Sequence, residues 1–139
     1  MYDVKPITSG KTVDCGPTCL AMLLDYYGMQ VPLDQLTREC NTCLIGCTAK
    51  DLLRVGRAHG LREDFSAWKM DTDELIRQDR PAIIWWMYAH WCVFCGRDDA
   101  ENVVICNPDM GRYRMRPDTF NSFYAGVALF NGEPENLPE

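Results

Sequence analysis

Histidine is nearly absent from this 139-residue chain, which contains only His59 and His90. Any chemistry that needs an imidazole therefore has two candidates. Long apolar runs are also missing. The longest, residues 82–89, falls well short of the about 20 residues required by a membrane-spanning helix. The N-terminus reads Met-Tyr-Asp-Val-Lys-Pro, without the basic patch and apolar stretch of a secretory signal. Membrane insertion and secretion are not expected, and a cytoplasmic protein is. Positive charge is scarce: 14 Lys and Arg stand against 20 Asp and Glu, and the net charge of -6 disfavours a nucleic-acid partner, whose phosphates would be repelled.

What is present is a core-forming composition, 47% hydrophobic and 24% charged, in a chain long enough to bury roughly two-thirds of its unfolded surface. One domain is expected over residues 1–130. Residues 131–139, with two prolines and one aliphatic side chain, read as a disordered tail. The chain also carries eight cysteines. With no secretion signal, these read as reduced thiols or metal ligands rather than a disulfide framework.

Leu20, Leu23, Leu24 and Tyr27 recur at helical spacing between Asp14 as N-cap, Pro17 in the first turn and Gly28 as the stop. Further helices are predicted over 33–39, from the capping box Thr48-Ala-Lys-Asp51 to Gly60, and over 71–78. From Pro81 the texture changes to β-branched and aromatic runs, giving strands at 82–86, 90–95, 102–106, 111–115 and 126–130 and a helical turn at 117–123. Helices followed by a mostly antiparallel sheet define an α+β domain.

Cys15 opens the first helix, where backbone N–H groups and the helix dipole favour a thiolate. Gly16 would leave room for a substrate backbone beside the sulfur. The alternative is a small buried cysteine at a helix end. A nucleophilic thiol needs a base. His59, before Gly60 in the last turn of the third helix, reads as a solvent-facing residue favoured by the dipole. His90 instead begins a strand. If Gly96 and Glu101 close a four-residue hairpin loop, facing positions sum to 197 and His90 faces Asn107, an amide able to orient its ring. Asn107 can also form an Asx turn in Asn107-Pro-Asp-Met-Gly111, and the two roles can coexist.

The stretch Asp14-Cys-Gly-Pro-Thr-Cys-Leu-Ala-Met-Leu-Leu-Asp-Tyr-Tyr-Gly28 closely resembles the nucleophile helix of the bacteriocin-processing, double-glycine leader peptidases, papain-like domains often fused to ABC exporters. The likeness continues through Gly46-Cys-Thr-Ala-Lys-Asp-Leu-Leu53, Pro81-Ala-Ile-Ile84, His90 and Val104-Ile-Cys-Asn-Pro-Asp-Met-Gly111, and covers nearly the whole chain apart from the tail. The resemblance implies a papain-like cysteine peptidase fold, with N-terminal helices packed on a C-terminal antiparallel sheet. It also implies thiolate attack after a Gly-Gly pair, with Cys15 as nucleophile, His90 as base and Asn107 as orienter. A leader-peptide substrate and a separate ABC exporter are the implied partners, and no cofactor is called for.

Two positions depart from that family. Asn107 stands where an aspartate is usual, and Asp109, two residues on, reads as a weaker substitute. Ser9 stands six residues before the cysteine, where the family carries an oxyanion glutamine, and no glutamine occurs upstream of Cys15. Ser9, Lys11 or backbone N–H groups near Cys15 are the candidate replacements. Losing one oxyanion donor costs roughly two to three orders of magnitude in turnover, so a peptide-binding module with weakened or lost catalysis is the alternative reading.

Cys40, Cys43 and Cys47 form a C-x2-C-x3-C cluster and Cys92 and Cys95 a C-x2-C pair, which invites a zinc or iron–sulfur reading. On a regular strand Cys92 and Cys95 point to opposite faces, so no metal site is expected. Cys19 and Cys92 read as neighbours of Cys15 that could trap it as a disulfide. The P-loop likeness of Ser9-Gly-Lys-Thr12 fails because the leading glycine would be Lys5. The aromatic run 85–88 reads as core and groove packing.

Overall fold

The computed structural model describes residues 1–9, 14–43 and 46–135. Helix α1, Cys15–Tyr26, organises the fold, and every residue from Cys15 to Leu24 is buried. Burial around the whole helix explains why its sequence is apolar on all sides rather than along one stripe. Asp14 occupies the N-cap, but its side chain makes no capping hydrogen bond. Gly28 ends the helix with φ +88, and the Met29 N–H reaches back to the Leu24 carbonyl at 2.9 Å.

Helices α2 (Leu33–Glu39) and α3 (Ala49–Ala58) flank α1. The Thr48 hydroxyl accepts from the Asp51 N–H at the start of α3, as the capping box requires. Helix α4 (Thr72–Ile76), shorter than expected, begins with the reciprocal Asp71–Glu74 box, and α5 (Pro117–Phe123) has proline in its first turn.

The strands are β1 (Ser66–Lys69), β2 (Ala82–Trp86), β3 (His90–Arg97), β4 (Val103–Asn107), β5 (Gly111–Met115) and β6 (Tyr124–Phe130). They form one antiparallel sheet in the order β1-β6-β2-β3-β4-β5. On one face Ile83, Trp91, Val93, Cys95, Val104 and Cys106 pack against α1. On the other, Ile84, Cys92, Phe94, Val103 and Ile105 pack with Leu75, Phe120 and Phe130. Helices on one side and short helices on the other explain why β4 is buried at every position.

Two features differ from the sequence reading. Strand β1 was not anticipated, because four residues with alternating half-buried and exposed positions carry little strand signal. The β3–β4 register sums to 199 over Val93↔Cys106 and Phe94↔Ile105, not 197. Cys95 and Gly96, the latter at φ +90, bulge opposite Val104 and move the loop to residues 98–102. Asp98 organises that loop, its Oδ1 accepting from the Ala100 and Asn102 N–H groups.

In the stretch read as a tail, residues 131–135 are tied to the body. Gln78 Nε2 donates to the Glu135 carbonyl at 2.7 Å and its Oε1 accepts the Glu135 N–H at 2.8 Å, while Arg80 Nη2 donates to the Gly132 carbonyl at 3.1 Å. Among the described residues, no helix is long and apolar enough to cross a membrane.

Candidate active site

Three elements bring Cys15, His90 and Asn107 together. Cys15 is the first residue of α1 and is 5% exposed. His90 is the first residue of β3, paired with Trp86 across a turn in which Tyr88 and Ala89 both have positive φ. Left-handed backbone at two consecutive non-glycine residues is costly, and it closes the β2–β3 hairpin tightly enough to fix where His90 starts. Asn107 is the last residue of β4 and is buried.

His90 Nε2 lies 2.9 Å from Asn107 Oδ1. The amide's orientation is set by its other partners: Oδ1 also accepts the Asp109 N–H at 2.9 Å, and Nδ2 donates to the Tyr113 hydroxyl at 3.2 Å. An oxygen at that position makes His90 Nε2 the donor, which leaves Nδ1 as the basic nitrogen. The two-residue register difference does not separate the pair, because a slip of two preserves the sheet face and converts direct opposition into a diagonal contact. Asn107 Oδ1 thus makes both the Asx-turn bond and the bond to the His90 ring.

Burial alone would disfavour a charged His90. Its interactions with Cys15, Cys92 and Asn107 outweigh that cost, so the imidazolium is held to about 11. The flanking thiols are kept neutral. Cys19 is pushed well up by complete burial, and Cys92 is pushed up by burial against the opposing effect of His90.

Asp109 lies beside the ring. Its Oδ2 is 3.7 Å from His90 Nε2, and its side chain is 49% exposed. Alternation returns every second residue to the same face, so Asp109 shares the side of Asn107, and the turn closed by the Met110 N–H on the Asn107 carbonyl at 3.1 Å keeps it there. Tyr113 was missed too. The Asn107↔Gly111 register puts it diagonally across from Asn107, a placement readable only once the β4–β5 turn is known.

The remaining expectations fare unevenly. The Ser9 N–H donates to the Pro108 carbonyl at 2.9 Å, which stitches the N-terminal segment to the residue after Asn107. Lys11 lies outside the described residues. Gly16 does not open space for a substrate: a Cβ there would lie 2.3 Å from Cys47 Sγ and 3.2 Å from Trp91 Cδ1. Because Pro17 has no N–H, the first-turn donors without an intrahelical acceptor belong to Cys15 and Gly16. His59 is tethered rather than solvent-facing, its Nε2 2.6 Å from Glu39 Oε2.

Cys40 and Cys47 interact thiol to thiol, whereas Cys43 Sγ faces the Gly46 carbonyl at 3.5 Å. Cys92 and Cys95 sit in the cores on opposite faces of the sheet. Among the described residues no three His, Cys, Asp or Glu side chains converge as metal ligands.

A thiol at the N-terminus of a buried helix, set against an imidazole and its orienting amide on an antiparallel sheet, is the division of labour of papain-like cysteine peptidases. The chain belongs to the Peptidase C39 family, which it matches over residues 3–136. It superposes with a TM-score of 0.85 on the crystal structure of a double-glycine-motif protease from an AMS/PCAT transporter in complex with the leader peptide, at 27% identity over 92% of this chain and 90% of that one. The probable microcin-H47 secretion/processing ATP-binding protein MchF of Escherichia coli is 25% identical over 126 residues; the match spans 91% of this chain and 18% of that protein's length. An uncharacterized protein of Methanothermobacter marburgensis is 28% identical over 115 residues, 83% of this chain and 79% of that one.

Proposed function

We propose that this protein is a cysteine endopeptidase that cleaves after a double glycine in the leader peptides of small secreted peptides. The observation that carries the reading is the His90 Nε2 to Asn107 Oδ1 bond at 2.9 Å, beside a thiol at the start of α1. His90 Nδ1 takes the Cys15 proton, and the sulfur attacks the scissile carbonyl. The oxyanion meets backbone N–H groups at the start of α1, with Ser9 as a further candidate donor. His90 returns its proton to the leaving amine, then removes one from the water that hydrolyses the thioester. Asn107 holds the ring throughout.

A glycine pair suits a narrow approach to a buried thiol. An apolar groove between the N-terminal segment and α1, lined by Ile7, Ala21, Val31 and Pro32, offers a surface for a leader segment. A cytoplasmic protein working beside a separate ABC exporter is the setting this reading favours, since the relative MchF is a secretion and processing protein.

The test is incubation with a synthetic leader ending in Gly-Gly followed by several residues, with mass spectrometry of the products and mapping of thiol alkylation at pH 6. A single cut after the second glycine, lost in Cys15→Ala and His90→Ala, is expected together with selective labelling of Cys15. Uniformly slow labelling of all cysteines would overturn the reading. Ser9 in place of an oxyanion glutamine favours a second reading, a leader-binding module; tight binding of the peptide with no cleavage would establish it.

A further inference from the structure

Asn107 can orient the His90 ring, but a neutral amide contributes no charge to an imidazolium. We propose that this protein divides the work between two residues: Asn107 fixes the ring, and Asp109, folded back by the β4–β5 turn, supplies the negative charge as a positioning and electrostatic residue. The inference rests on the peptidase reading for its catalytic consequence, and on geometry alone for its electrostatic one.

The turn makes the arrangement a unit. Asn107 Oδ1 accepts from both His90 Nε2 and the Asp109 N–H, each at 2.9 Å. One oxygen therefore fixes the ring and the backbone that carries the carboxylate. Asp109 Oδ2 then lies 3.7 Å from the same Nε2. The carboxylate approaches the ring from the solvent side, where half its surface remains hydrated and its pull on the ring is correspondingly screened.

Of the other groups around His90, Cys15 of α1 and Cys92 of its own strand interact with the ring and Tyr113 reaches it through Asn107; the Cys15 sulfur loses its negative charge once it is acylated. Burial holds Cys19, Cys92 and Tyr113 in their neutral forms. Among the described residues, Asp109 is the carboxylate within ion-pair distance of the ring.

The experiment is an NMR titration of the full chain carrying labelled histidine, in the wild type, Asp109→Asn and the double variant Asn107→Asp/Asp109→Asn. The chain's two histidines make the spectrum simple, and His59, held by Glu39, serves as the internal reference. In Asp109→Asn the His90 midpoint should fall by roughly 0.5 unit or more, with His59 unmoved and kcat/KM on the Gly-Gly peptide reduced about threefold or more. The double variant, with its carboxylate at position 107, should restore the midpoint. A His90 midpoint unchanged in Asp109→Asn would overturn the proposal, as would equal shifts at both histidines. If the wild type cleaves no peptide, the titration still decides the electrostatic inference, so failure of the peptidase reading is distinguishable.

Discussion

Replacing Gly16 by alanine should destabilise the protein, even though alanine is the better helix former. The new Cβ would sit 2.3 Å from Cys47 Sγ, 3.2 Å from Trp91 Cδ1 and 3.4 Å from Leu52 Cδ2. A 2.3 Å approach cannot be accommodated without displacement, and the neighbours are poorly placed to yield. The Cys47 thiol interacts with Cys40, its carbonyl accepts from Trp91 Nε1 at 3.4 Å, and Trp91 itself packs 4.4 Å, centroid to centroid, from Trp85 at an interplanar angle of 57°. Overpacking of this kind costs about 1–3 kcal/mol, and the helical gain of alanine over glycine offsets up to about 1 kcal/mol of it. A net loss of about 1–2 kcal/mol is expected, read as a lower urea midpoint with unchanged m-value in reducing buffer. Cys47→Ala removes the clashing sulfur, so in the double variant most of the loss should disappear, a coupling of about 1 kcal/mol or more. A Gly16→Ala protein as stable as wild type, or additive effects of the two substitutions, would refute the packing argument. Because Gly16 adjoins Cys15, the same variant should also slow alkylation of Cys15 at pH 6.

Two further outcomes follow from the geometry. His90 is held to about 11 against an ordinary value near 6.5, so its charged-state interactions stabilise the fold fully below about pH 6.5 and are lost as pH rises towards 11; the excess stability of wild type over His90→Gln in urea melts should shrink from pH 6 to pH 10, and a difference that grows with pH would contradict the assignment. Gln78→Ala removes both hydrogen bonds to Glu135 and one to the Glu74 carbonyl, so stability should fall by about 1–3 kcal/mol and limited proteolysis should gain cuts around residues 131–135; an unchanged digestion pattern would show that the Arg62 and Arg80 contacts hold the segment without Gln78.

The readable parts of this fold were those specified by local chemistry. The Thr48 and Asp71 caps, the proline of α5 and the Gly28 stop each mark an element end through a hydrogen bond or a backbone angle that nearby residues alone dictate. The parts that escaped reading depend on contacts between distant segments. Strand β1 exists because β6 lies beside it, and Gly16 is a glycine because the Cys47 thiol, 31 positions away, occupies the space. The pairing of His90 with Asn107 was reached from a register in error by two, because a two-residue slip keeps both residues on the same face; an error of one would have separated them. Asp109 was undervalued for a different reason: two positions from Asn107 it has the same strand parity, but its approach to the ring depends on the turn that begins at Asn107. A bulge at Gly96 on one side and a turn at Asn107 on the other thus set the geometry of this site, and both are irregularities that periodicity cannot encode.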